Sequence, residues 1–337
     1  MIERALQQVV ERRDLTLDEA HSVMSEIMAG ECTPAQIAGL LVGLRMKGET
    51  ADEVAGFARG MRESCLRVHP SAEGLVDTCG TGGDALDTFN VSTAAALVAA
   101  GAGVPIAKHG NRAVTSRCGS ADVLRELGLN LELTAEQVGW SIDEVGIGFL
   151  FAPYLHPAMS HALGPRRELG LRTVFNVLGP LTNPAGAARQ VVGVFGAEWV
   201  SRIATALVQL GVERALVVHG LDGLDELSTL GPSLVCEVRD GDLCEFEVTP
   251  EQFGLTRASV ADIAGSDPAT SAQQVIALLE GERGARREIV LLNAAAAIFV
   301  GGLAESIEEG LVIAAQSVDS GAARRTLRAM VRFSHGE

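Results

Sequence analysis

The spacing of apolar residues changes character near residue 70. Before that point apolar positions recur at helical intervals, as in Ile37, Leu40, Leu41 and Leu44. Three of these segments open on a capping box, Thr16 with Glu19, Thr33 with Gln36 and Thr50 with Glu53, and Pro34 stands at the favoured first helical position. The pattern predicts a helical region over residues 1–70 that packs on itself, on a later domain or on a second copy of the chain. Val68–Gly74, with His69-Pro70-Ser71, reads as the linker out of it.

From Leu75 onward short apolar segments alternate with helical ones. Leu75–Val76, Val104–Ala107, Gly148–Ala152, Gln190–Phe195 and Ala215–His219 read as strands. Ala121–Leu127, Ala135–Val145 and Trp199–Leu210 read as helices between them. This alternation predicts an α/β region, residues 71–337, with a central, mostly parallel mixed sheet flanked by helices. Leu234–Val248, centred on Asp240-Gly241, predicts a β-hairpin, and helices close the chain from Thr270.

Composition narrows the setting. The chain has 337 residues, 47% of them hydrophobic, enough for one large core or two modest ones. Gly and Pro break every apolar run short of the ~18 residues a membrane span requires. The opening MIERALQQVVERRD lacks the apolar centre of a signal peptide. Six cysteines without CxxC spacing read as reduced thiols of a cytoplasmic protein. A net charge of −16, with basic residues dispersed apart from Arg166-Arg167 and Arg324-Arg325, argues against nucleic acid or membrane as a partner.

The chemistry concentrates in Asp77–Asp122. Gly80-Thr81-Gly82-Gly83-Asp84 follows a strand, and Asn90-Val91-Ser92-Thr93 opens an Ala-rich helix that runs to Gly101. Lys108-His109-Gly110-Asn111-Arg112 follows the next strand as a cationic loop. Glycines let backbone N–H groups approach a ligand, and a helix start capped by Ser92 or Thr93 favours a phosphate. Lys108 is one of only two lysines, with Lys47, in a chain whose other basic residues are arginines. GTGGD alone fits a tight βα turn equally well; the second loop shifts the reading to an anion site. The spacing matches neither the dinucleotide nor the P-loop fingerprint.

Two further stretches matter. His219 to Ser228 holds three carboxylates, Asp222, Asp225 and Glu226, suited to a hard cation such as Mg²⁺ unless the loop is merely a solvated acidic turn. Gly148–Asn183 carries His156-Pro157, then Arg166, Arg167 and Arg172 in a helical stretch, where an arginine can clamp a carboxylate. Tyr154 and Phe149 are candidates to line an aromatic pocket.

Taken in order, GTGGD, NVST, KHGNR, GSAD, HPAM, RRELGLRTVFN with LGPLTNP, and HGLDGLDE resemble the anthranilate phosphoribosyltransferase family of tryptophan biosynthesis, over essentially the whole chain. The resemblance implies a small helical domain joined to a large α/β domain, with 164–183 returning to the helical side, and a homodimer formed through the helical parts. It implies Mg²⁺-dependent transfer of a phosphoribosyl group from phosphoribosyl pyrophosphate to the amine of anthranilate. Carried over by motif, the donor lies on Gly80, Gly83, Asp84, Thr88, Asn90, Val91, Ser92 and Thr93, then Lys108, His109, Gly110, Asn111, Arg112, Thr115, Ser116 and Ser120. Ser92, Asp225 and Glu226 hold the metal, and Gly80, Asn111, His156 and Arg166 contact anthranilate. Thr115 and Cys118 stand where the family usually carries serine; Cys118 lacks the hydroxyl and is assigned no phosphate contact. The anthranilate amine is neutral at pH 7, so these residues are expected to stabilise charge and position substrates rather than act as acid or base. A pyrimidine nucleoside phosphorylase and a non-enzymatic ligand-binding paralogue are the rival readings.

Overall fold

The computed structural model describes residues 1–83, 86, 88–113 and 117–337. Four helices come first: α1 (Ile2–Val10), α2 (Leu17–Met28), α3 (Pro34–Lys47) and α4 (Ala51–Glu63). All three capping boxes form, on Thr16, Thr33 and Thr50, each with its side chain accepting the N–H three residues on. Buried faces that include Val23, Ile27, Leu40, Leu44 and Phe57 then join these helices into a small domain.

The rest is an α/β domain around one seven-stranded sheet. Its elements are β1 (Val76–Asp77), α5 (Val91–Gly101), β2 (Ile106–Gly110), α6 (Ser120–Glu126), α7 (Ala135–Val145), β3 (Ile147–Phe151) and the short α8 (Ala152–Leu155). There follow α9 (Ser160–Leu169), α10 (Phe175–Leu178), β4 (Arg189–Gly193), α11 (Val200–Gln209), β5 (Arg214–Gly220), β6 (Ser233–Arg239) and β7 (Asp242–Val248). The chain ends in α12 (Pro268–Leu279), α13 (Ala285–Gly301), α14 (Ile307–Asp319) and α15 (Ala322–Ser334). Strand order is β3-β2-β1-β4-β5-β6-β7, with β1 to β5 parallel and β6 and β7 added antiparallel as the hairpin.

The sheet is covered on both faces, as parallel strands require. Along β4 and β5 the period of two sends Val191, Leu216 and Val218 into the core against α5 and α13. Val192, Ala215 and Val217 enter the opposite core with α11 and the N-terminal helices. Helix α9 packs on α2 and α3, and α10 on α4. Arg62 at the end of α4 locks that junction by donating to the carbonyls of Leu181 and Leu210 at 2.6 and 3.3 Å. No helix among the described residues is long and apolar enough to cross a membrane.

The chain runs outward from β1 to β2 and β3, then returns to the other side of β1 for β4 and β5. The crevice above the carboxyl ends of β1 and β4 is therefore the topological switch point, where ligands of such sheets bind.

Candidate active site

The glycine loop lies over that switch point. Gly82 and Gly83 take φ of +64° and +77°, a left-handed backbone that only glycine adopts freely. The loop is fixed from β4 and β5: Thr81 N–H donates to the Gly193 carbonyl at 2.8 Å, and Phe195 N–H to Thr81 Oγ1 at 3.1 Å. Gly82 N–H donates to Asp225 Oδ2 at 2.7 Å. This approach needs Gly193, because a methyl group there would overlap the Asp225 carbonyl oxygen.

Helix α5 starts beside the loop. Its N-cap is Asn90, and neither Ser92 nor Thr93 caps it; both sit inside the first turn. The helix begins early because Val91 docks its side chain in the core and its N–H on the Phe89 carbonyl at 2.7 Å. Asn90 Nδ2 donates to the Cys118 carbonyl at 3.1 Å, while its Oδ1 accepts from no N–H of the helix, so the terminus has no side-chain cap. Such a terminus carries unpaired N–H groups and the positive end of the dipole.

Lys108 is not in a loop. It belongs to β2, held by pairing of Lys108, His109 and Gly110 with Phe149, Leu150 and Phe151 of β3. Its side chain is buried, and Nζ donates to the Thr78 carbonyl at 3.1 Å, Thr78 Oγ1 at 3.3 Å and Ser92 Oγ at 3.3 Å. All three are neutral oxygens. Asp77, fully buried, interacts electrostatically with the Lys108 charge, and its carboxylate accepts from His109 N–H at 3.0 Å and Asn183 Nδ2 at 2.7 Å. Burial pushes the Asp77 carboxyl up to about 6, against the downward pull of Asn183 and Lys108.

The rings of His109 and His156 face each other at 5.1 Å. His109 Nδ1 lies 3.1 Å from the Gly179 carbonyl, which can only accept, so Nδ1 carries the proton and Nε2 is an acceptor. Burial lowers His109 to about 3 and His156 to about 4, so both are neutral at pH 7. Nε2 of each ring is buried without a hydrogen-bond partner among the described residues, as are Asn90 Oδ1, Thr93 Oγ1 and Thr173 Oγ1. An unpaired buried polar atom costs roughly 1–3 kcal/mol. These five lie at the end of β2 or in the connections between β1 and β4, which marks where ligand groups would complete them.

The remaining residues divide. Asp225 is partly enclosed by the glycine loop, its carboxyl pushed up by desolvation against the Gly82 hydrogen bond, and it forms no ion pair with a described residue. Glu226 follows it in the same loop. Asp222 does not join them, since its carboxylate closes its own turn by accepting from Leu224 N–H at 3.2 Å and from the Ser228 hydroxyl. Ser120 Oγ accepts from Asn111 N–H at 3.2 Å, folding the loop after β2 back on itself. Asn111 and Arg112 are exposed there, with Arg112 over the Phe151 ring at 5.7 Å. Thr88 bridges to Ala264. Arg166 is half-buried on α9, its guanidinium stacked 4.9 Å over Phe175 and its pKa lowered by burial. Arg172 lies beyond α9, not in it. Phe149 is buried in the core and Tyr154 is exposed against Phe151, so the two do not line one aromatic pocket. Asp84, Thr115 and Ser116 lie outside the described residues.

All six cysteines are free. Asp77, Cys79 and His109 bring possible metal ligands within 4.8 Å of one another. The Asp77 carboxylate is already engaged, and burial keeps the Cys79 thiol protonated by pushing its pKa far up. The motifs assign no role to Asp77, Thr78, Thr173 or Asn183. Thr173 and Asn183 stand within RTVFN and LGPLTNP, but only tertiary contacts reveal what they hold.

Comparison with known proteins agrees with this geometry. Residues 72–324 match the α/β domain of a glycosyl transferase family, and residues 3–65 match that family's helical bundle domain. The chain is 55% identical to an anthranilate phosphoribosyltransferase of Pelotomaculum thermopropionicum, over 99% of this chain and 97% of the relative. A solved anthranilate phosphoribosyltransferase of Thermus thermophilus superposes with a TM-score of 0.94 at 46% identity, covering 98% of this chain and 99% of the other. The Saccharomyces cerevisiae anthranilate phosphoribosyltransferase in complex with PRPP and Mg gives a TM-score of 0.91 at 27% identity, covering 100% and 98% of the two chains. The chain belongs to the glycosyl transferase family that these anthranilate phosphoribosyltransferases represent.

Proposed function

We propose that this chain catalyses Mg²⁺-dependent transfer of the phosphoribosyl group from phosphoribosyl pyrophosphate to the amine of anthranilate, a cytoplasmic step of tryptophan biosynthesis. The observation that carries this reading is the Lys108 ammonium, buried on neutral oxygens beside an uncapped helix terminus at the switch point of the sheet. Its charge is aimed where an anionic ligand would sit and, among the described residues, is hydrogen-bonded to no carboxylate.

In the reaction the C1–N bond forms as the C1–O bond to pyrophosphate breaks. The leaving group gains negative charge while C1 becomes oxocarbenium-like. Lys108 and the N–H groups at the start of α5 stabilise that growing charge. Gly80, Gly83, Thr88, residues 90–93 and 108–112, and Ser120 form the donor subsite, with Asp84, Thr115 and Ser116 as its remaining members. Ser92, Asp225 and Glu226 offer only oxygen ligands, and a desolvated Asp225 without an ion pair among the described residues fits a divalent cation. Bound there, Mg²⁺ supplies charge neutralisation of the pyrophosphate.

Arg166 holds the anthranilate carboxylate, with Gly80, Asn111 and His156 around the ring and His109 Nε2 as a second acceptor beside it. Both histidines are neutral and of low basicity, so they position the amine. The proton lost after attack passes to water or to the substrate's own carboxylate. Val10, Met46 and Leu163 stand exposed on α1, α3 and α9, which supports a homodimer through the helical parts, 1–70 with 164–183.

The test follows anthranilate fluorescence. Loss of fluorescence should require both the donor and Mg²⁺, and replacing Asp225 and Glu226 by alanine should cut turnover by at least ~100-fold while the protein stays folded. Phosphorolysis of pyrimidine nucleosides in place of that loss would favour the phosphorylase reading.

A further inference from the structure

Arg172 belongs to none of the donor, acceptor or metal sets above. It lies in the turn after α9 and is exposed, yet its guanidinium is engaged twice. It stacks over the Phe195 ring at 4.8 Å, and Nη2 donates to the Gly83 carbonyl oxygen. Phe195 in turn donates its N–H to Thr81 Oγ1 at 3.1 Å. Arg172 therefore grips the glycine loop directly at Gly83 and indirectly through Phe195.

The loop needs such a grip. Two successive glycines at φ +64° and +77° leave a backbone with many accessible conformations, and fixing it costs conformational entropy. A glycine peptide that flips would present its carbonyl oxygen, not its N–H, to an anion. Thr81 and Gly82 are held from Gly193 and Asp225, both on the β4–β5 side. Gly83 is held from the other side, by the segment that carries Arg166, itself stacked on Phe175 at 4.9 Å. Arg172 thus joins the acceptor segment to the donor loop, while the Arg166–Phe175 stack lies within that segment.

We propose that Arg172 is a positioning residue for donor binding, fixing the Gly83 carbonyl and coupling the glycine loop to the segment that holds the acceptor. The inference rests on the proposed transferase activity. A charge-assisted hydrogen bond and a cation–π contact at an exposed site together predict roughly a tenfold effect on affinity. A bare electrostatic role would survive replacement by lysine; a planar stacked clamp would not.

The experiment is steady-state kinetics of the full chain with both substrates varied, on wild type, Arg172→Ala, Arg172→Lys and Phe195→Leu. Arg172→Ala should raise the KM for phosphoribosyl pyrophosphate about tenfold, lower kcat by less than threefold and leave the melting temperature nearly unmoved. Arg172→Lys should recover little of the loss, and Phe195→Leu should shift the donor KM in the same direction by a smaller factor. A donor KM unchanged in Arg172→Ala, or restored fully by lysine, would overturn the proposal. Absence of turnover in the wild type would instead sink the transferase reading itself, so the two failures are distinguishable.

Discussion

The two lysines of this chain are both buried, and their surroundings differ in kind. Lys47, in the helical domain, donates to Asp14 at 2.6 Å, to Glu53 at 2.9 Å and to the Gly48 carbonyl at 2.6 Å. Glu53 also accepts from the backbone of Leu15 and Thr50, so one carboxylate closes a capping box, ties the α1–α2 connection to α4 and neutralises Lys47. Nothing of that ammonium remains for a ligand. Lys108, on β2, donates among the described residues to Thr78 and Ser92 oxygens, while the Asp77 carboxylate accepts from His109 and Asn183. A charge satisfied by the fold stabilises the fold. A charge whose hydrogen bonds run to neutral oxygens keeps its capacity to bind an anion.

The widest break in this comparison comes from removing each charge. Lys47→Met leaves Glu53 buried without its cation and should cost roughly 3–5 kcal/mol of stability. Its turnover, measured below the lowered melting temperature, should stay near wild type. Lys108→Met should do the reverse, lowering kcat/KM for the donor by about 10²–10³-fold with little loss of melting temperature. Denaturation curves and kinetics on the same two variants decide it.

Acid titration sharpens the comparison further. His109 and His156 have folded pKa values below their unfolded value, so they bind fewer protons folded than unfolded between about pH 3 or 4 and 6.5. The stability they allow is present above pH 6.5 and is lost as pH falls. Asp77 runs the opposite way: its raised pKa contributes stability below pH 3.8 that is lost as pH rises through about 6. Two histidines outweigh one aspartate, so unfolding free energy should fall between pH 6.5 and 4 by roughly 1.4 kcal/mol per pH unit for each net proton. His156→Gln should make that slope shallower and Asp77→Asn should make it steeper, as read from urea midpoints across the range. The smallest effect expected is at a cap: Thr16→Ala removes an exposed N-cap and should cost about 1 kcal/mol with kinetics unaltered.

The same contrast explains which features are legible in the sequence. Local rules work where a residue's partner is three or four positions away: Thr16, Thr33 and Thr50 cap as their boxes require, and the turn at Asp240-Gly241 joins β6 to β7. The strand alternation likewise yields the parallel sheet. Rules fail where the partner is distant. A cap on Ser92 or Thr93 fits the local pattern, yet α5 starts at Val91 with Asn90 as its N-cap residue, whose Nδ2 donates to Cys118, 28 residues away, while its Oδ1 caps nothing. Lys108 reads as a loop residue until β3 pairs with it, and Asp222 reads as a metal ligand until Ser228 and Leu224 claim its oxygens. Asn183 lies 106 residues from the Asp77 carboxylate it bonds, a contact with no signature in either local sequence.

Lys108 keeps its charge for the donor, while Lys47 gives its charge to the fold. Calorimetric titration of phosphoribosyl pyrophosphate with Mg²⁺ into wild type, Lys108→Met and Lys47→Met tests it most directly. Donor binding should weaken by at least tenfold in Lys108→Met and be retained in Lys47→Met at a temperature where both are folded. Undiminished binding in Lys108→Met would contradict it.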